Sequence, residues 1–171
     1  MSTLHHWNFA KWLKSPKTCL IHPNIIIACF RTSHNKIKKE MKTTVEKSAI
    51  EKLIFSYRDA FNAEDILKTV ACYEEDGILM PQGAPLAKGQ VQLKATIGFL
   101  FKTFKINIEY IIDEVIVSGD YAFARTNSKV KTIVRASEKI ILEDNKELFV
   151  LHTVGGQWKI SHYIFNNSKM K

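Results

Sequence analysis

No run of apolar residues in this chain approaches the roughly eighteen needed to cross a bilayer; Ile25–Phe30 is short, and Pro23 interrupts what precedes it. A membrane partner is therefore not expected. Cysteine is scarce as well. Cys19, Cys29 and Cys72 cannot form a closed disulfide set, have no metal-ligand spacing, and suit a reducing cytoplasm. The chain also lacks a phosphate-binding glycine loop and the signature of a nucleophilic triad, since Gly155-Gly156 has the form of a turn. His5 and His6 lie in an unpatterned stretch, and strand alternation puts His152 and His162 on opposite faces. No metal and no cofactor are expected.

Acidic residues are missing from one end. Residues 1–40 carry seven Lys and Arg against Glu40 alone, which accounts for +6 of the formal +8, so residues 41–171 hold only +2. A domain that close to neutral has no electrostatic footprint for a phosphate backbone, and no nucleic-acid partner is expected. The basic stretch shows no sustained period, and neither a secretory signal nor an Arg-rich transit peptide fits it. It reads as a leader upstream of a start at Met41, followed by one domain over residues 41–171.

Within that domain Thr43 and Glu46 have capping-box spacing, which predicts a helix start. Ile50, Leu53, Ile54, Tyr57 and Phe61 follow on one helical face. Asp65 can cap a second helix carrying Ile66, Leu67, Val70 and Tyr73. A short strand is expected at Gly77–Met80, and a third helix after Gly89 with Ile97, Leu100, Phe101 and Phe104 at helical spacing. From Lys105 the period becomes two. Turn residues at Ser118-Gly119-Asp120, Glu143-Asp144-Asn145 and Gly155-Gly156 divide the rest into strands near 106–117, 121–134, 146–154 and 157–166. Three helices followed by antiparallel strands define an α+β domain in which the helices cover one face of a strongly curved sheet. A concave apolar face of that kind is a pocket for a small, mostly apolar molecule.

Hairpin register indicates which side chains share the face. If Gly155-Gly156 is a two-residue turn, Phe149 opposes His162 and Glu147 opposes Ile164. Glu147 then has His162 and Asn166 as diagonal neighbours, beside Phe149. The same arithmetic around Gly119-Asp120 sets Glu114 against Arg125, a cross-strand ion pair before it is a ligand clamp. Trp158 reads as packing against its hairpin partner. Strands apolar on both faces, such as Ile111-Ile112 and Leu148–Leu151, predict a homodimer through the outer sheet face.

These stretches resemble the SnoaL-like, ketosteroid-isomerase-like group of the nuclear transport factor 2-like fold. The resemblance rests on Tyr57–Asp65, Tyr73–Pro81, the loop through Lys88-Gly89, Val115–Tyr121, Glu147–Leu151 and Trp158–Asn166, in that order. It implies a cone-shaped half barrel, usually paired into a homodimer. It also implies that Tyr57 and Glu147 match the tyrosine and carboxylic acid of the isomerase branch's oxyanion hole, where apolar surroundings keep the acid neutral. The branch's general base would fall at Met80 or Pro81, and neither can take a proton, so steroid-type isomerisation is not expected. Two readings stay open beside a non-catalytic binding module. One is a lyase, isomerase or hydratase using Glu147 and His162 as acid and base with Tyr57, and with Phe61, Met80, Arg125, Phe149 and Asn166 around the ligand. The other is a dimeric scaffold with a vestigial pocket filled by Phe61, Met80 and Phe149.

Overall fold

A computed structural model describes the backbone of residues 23–168 and the side chains of residues 41–168. The chain divides into two units, 1–40 and 41–171, and the second carries the sheet and the candidate site. Helix α1 spans Pro23–Asn62, so Thr43 and Glu46 lie inside a helix and not at its start. The spacing of a capping box also occurs in helix interiors, where Glu46 here sits 3.7 Å from Lys42 in an i,i+4 pair. The apolar stripe is as expected: Ile50, Ile54, Tyr57 and Phe61 are buried and Leu53 is partly so.

Glu64 adopts a positive φ of 58° and ends α1, after which Asp65 caps α2 (Ile66–Ala71) by accepting from the Lys68 amide at 3.0 Å. Tyr73 leaves that short helix and opens β1 (Tyr73–Met80), which is longer than the expected strand. The brief β2 (Ala87–Lys88) leads into α3 (Gly89–Thr103), where Gly89 takes φ 74° with its Cα facing the Glu75 carbonyl. A side chain there would be strained.

Four long strands complete the sheet: β3 (Phe104–Ser118), β4 (Tyr121–Val134), β5 (Ile140–Val154) and β6 (Gln157–Asn167). Their order is β2-β1-β6-β5-β4-β3, all antiparallel except the β1–β6 pair. The expected turn at Glu143-Asp144-Asn145 is instead part of β5, and the reversal falls at residues 135–139, where Glu138 has φ 55°. Cross-strand partners override the turn propensity: Asp144 stands opposite Lys129, Asn145 opposite Ser128, and Glu143 accepts from Asn167 at 2.7 Å. Gly155 and Gly156 both have positive φ and join β5 to β6 as the expected two-residue turn.

Strand β3 lies at the edge of the sheet, and the Asn62 side chain of α1 bonds to it. The Asn62 amide donates to the Ile108 carbonyl at 2.9 Å and accepts from the Ile108 amide at 2.8 Å, as a neighbouring strand would. Replacing Asn62 with Ala should lower the free energy of unfolding by about 1–3 kcal/mol, since two backbone groups lose a partner. Urea unfolding of the two proteins measures it, and an unchanged midpoint would show that water serves as well.

Candidate functional site

The helix-covered face of the sheet is built from alternate residues. On β5 these are Leu151, Phe149, Glu147 and Asn145, and on β4 they are Ala122, Ala124, Thr126 and Ser128. On β6 the alternation is interrupted. Ile160 opposes Leu151 in the register set by the turn, but Val150 opposes His162, so Ser161 is an extra residue and the pairing shifts by one. Phe149 therefore faces Tyr163, and Glu147 faces Phe165.

The centre of the interior is aromatic. Phe149 and Tyr163 stack with centroids 4.1 Å apart and planes inclined by 4°. The Tyr57 ring meets both edge-on, at 6.2 and 5.7 Å, and Phe61 lies 5.9 Å from Tyr57. Tyr57 is 1% exposed and Phe149 0%. Hydroxyls pair among the rings, Tyr110 with Tyr163 at 3.0 Å and Tyr73 with Tyr57 at 3.5 Å.

Glu147 stands against this cluster, 4% exposed. Thr126 donates to one carboxyl oxygen at 2.8 Å and Ser128 to the other at 2.6 Å, and the Tyr163 hydroxyl is a third hydrogen-bond neighbour. Burial pushes the Glu147 pKa up from its ordinary value, although these hydroxyls partly offset it. The site thus disfavours the ionised acid relative to water. Burial likewise raises the Tyr57 phenol, so it acts as a hydrogen-bonding group and not as a base.

Of the residues singled out from sequence, the structure brings Tyr57, Phe61, Glu147 and Phe149 together inside. It does not bring His162 there. The Ser161 insertion turns His162 to the outer face with Val150, where its Nδ1 lies 2.9 Å from the Ser161 hydroxyl, and sets it on the same side as His152. Met80 and Asn166 are also outside: Met80 pairs with Ile164 while its neighbour Leu79 is buried beside Tyr163, and Asn166 is exposed opposite Lys146. Arg125 opposes Glu114 as expected, but on the outer face, with Nη1 2.8 Å from Asp113. The interior filling expected of Met80 comes instead from Tyr163 and Tyr110. Sequence reasoning missed Tyr163 because nothing local marks the insertion. Thr126 and Ser128 were within reach, as they continue the alternation of Ala122 and Ala124 directly opposite β5.

A separate groove of about 540 Å³ runs between α1, α2 and β6, past Leu53, Ala60, Ala71 and Cys72. Its charged groups are already engaged: Lys159 donates to the Ala71 carbonyl at 2.7 Å, and Lys68 pairs with Asp65 at 2.9 Å. Among the described residues no group of three or more His, Cys, Asp or Glu side chains could hold a metal ion.

Helices covering a curved six-stranded sheet, with an acid and a tyrosine inside, define a protein of the nuclear transport factor 2-like, cystatin-like fold. A ketosteroid isomerase-like protein from Erwinia carotovora atroseptica is 30% identical, with a TM-score of 0.68, over 72% of this chain and 96% of that one. The chain belongs to this ketosteroid isomerase-like family. Similar in fold are a provisional scytalone dehydratase from Novosphingobium aromaticivorans (20% identity, TM-score 0.65, 74% and 86% of the two chains) and a cystatin-like protein of unknown function from Nostoc punctiforme (19%, 0.60, 74% and 93%). No protein-family model and no curated protein matches the sequence.

The raised Glu147 pKa has a defined consequence for stability. The folded chain holds this proton more tightly than the unfolded chain, whose value is near 4.5. The stability this contributes is complete below pH 4.5 and is lost as pH rises through the folded-state value. Glu147→Gln keeps the shape without the titration. The difference in Tm between the two proteins should therefore move steadily in favour of the variant as pH rises from 4.5, and a difference that stays constant with pH would show an unshifted carboxyl.

Proposed function

We propose that this protein is a binding module for a small, mostly apolar molecule bearing a carbonyl or hydroxyl oxygen, held in the cone beside Glu147. The observation that carries this reading is a buried carboxyl whose partners, among the described residues, are hydroxyl groups. Protonated, it donates a hydrogen bond, and a ligand oxygen amid aromatic rings is the acceptor such a donor suits. Proton transfer between carbons needs more. Met80 and Pro81 cannot act as the base, and His162 lies on the other side of the sheet, so Glu147 lacks the imidazole partner on which the lyase, isomerase or hydratase reading rests.

A scaffold reading is favoured by a different observation, the close stack of Phe149 on Tyr163, which fills the interior without help. Native mass spectrometry of freshly purified protein separates the two. The binding reading predicts a non-covalent adduct or a rise in Tm with cyclic ketone or phenol probes. It also predicts affinity little changed in Glu147→Gln and weakened at least about ten-fold in Glu147→Ala, as for a lost buried hydrogen bond. No adduct and no response to any probe would leave the scaffold.

Pairing into a homodimer is part of the proposal, supported by Ile116, Phe123 and Leu148, large apolar side chains that stay exposed on the outer face. Sedimentation at micromolar concentration should give twice the chain mass, and Phe123→Glu should halve it. A wild-type monomer would count against this arrangement. A cytoplasmic setting fits the few cysteines, of which Cys72 is free and buried.

A further inference from the structure

Helix α3 is apolar on the side that faces away from the core. Leu93, Ile97 and Phe101 are its buried residues, as any amphipathic helix requires. Yet Val91, Ala95 and Phe99, spaced by four, form a second stripe on the opposite side, with Val91 82% and Phe99 64% exposed. Beside it lies α2, whose Ile66 methyl packs over Gly98 and whose Leu67 is 69% exposed. Leaving a phenylalanine, a valine and a leucine in water on neighbouring helices is costly unless something covers them.

The charges on these two helices have one sign. Neither α2 nor α3 contains an acidic residue, and none occurs from Gly77 to Ile108, a stretch that holds Lys88, Lys94, Lys102 and Lys105. Lys94 and Lys102 are exposed on α3 itself. Carboxylates stand at its ends: Asp65 pairs with Lys68, Glu64 pairs with Arg135, whose Nε also donates to the Phe101 carbonyl at 2.9 Å, and Glu75 and Asp76 are exposed on β1 beside the start of α3.

We propose that the outer face of α3, with Leu67, rests on an anionic lipid surface. Phe99, Val91 and Leu67 enter the headgroup boundary, while Lys94 and Lys102 lie against the phosphates. Charge complementarity selects this occupant, because exposed apolar side chains on helices that carry lysines and no carboxylates fit an acidic bilayer. A second copy of the chain would bring lysine against lysine. The contact is peripheral, since no described helix is long and apolar enough to cross a membrane. It departs from the sequence expectation of no membrane partner, which considered spanning segments and could not foresee the exposure of Phe99.

Cosedimentation of the full chain with phosphatidylserine–phosphatidylcholine vesicles, against phosphatidylcholine alone, tests the proposal. The basic residues 1–40 are common to every variant, so differences among variants report on α3. The double variant Lys94→Gln, Lys102→Gln, altered only at exposed positions, should bind the acidic vesicles about twenty-five-fold more weakly, at roughly five-fold per lysine. In a Phe99→Trp variant, brominated phospholipid should quench the added indole relative to the parent. Equal binding by the lysine variant, or an indole that bromine does not reach, would overturn the proposal. So would a Phe99→Ser variant that loses a concentration-dependent oligomer while wild type ignores vesicles, since that would assign the face to a protein partner.

Discussion

Ser161 is inserted between Ile160, which pairs with Leu151, and His162, which pairs with Val150, so β6 uses one residue more than β5 over the same length. A strand's side chains alternate, and one added residue exchanges the faces of everything beyond it. Tyr163 thereby enters the interior, stacks on Phe149 and joins its hydroxyl to Tyr110, while His162 and Ile164 go outside. Without the bulge the aromatic stack could not form, and an imidazole would stand beside Glu147. The chemistry open to the interior is set by this single backbone irregularity.

The environment of Glu147 follows from the same arrangement. A carboxyl with an imidazole beside it would be held as a charged pair. Surrounded by Thr126, Ser128 and Tyr163 its pKa is raised, because hydroxyl dipoles compensate burial of the ionised form only in part. When protonated, Glu147 donates one hydrogen bond, which a serine or threonine hydroxyl, free to rotate, can accept where no ligand oxygen takes it. The interior therefore tolerates an acid without a cation.

Much of this was legible in the sequence, and the reason differs by element. The stripe from Ile50 to Phe61, the period-two run after Lys105 and the Gly155-Gly156 turn rest on local rules that the tertiary structure does not contradict. Those rules placed Tyr57, Phe61, Glu147 and Phe149 in one interior. The failures have a common form. Asp144 and Asn145 favour a turn in isolation, but Lys129 and Ser128 stand opposite and hold them in a strand. His162 alternates correctly from Trp158 only if no residue is inserted, and the serine that is inserted carries no conformational signature. Met80, Arg125 and Asn166 were misplaced because their strands' faces depend on partners distant in sequence.

The two hydrogen bonds between Asn62 and Ile108 bear on solubility as well as on stability. Strand β3 runs for fifteen residues along the border of the sheet, and an open border of that length is a template on which another chain's strand can add. By occupying the amide and carbonyl of Ile108, the end of α1 puts a stop part-way along that template. The bulge between Ile112 and Glu114 bends the strand a few residues further on. A foreign strand approaching β3 would find no long straight stretch to copy, so the residue that ties helix to sheet also guards the fold against aggregation.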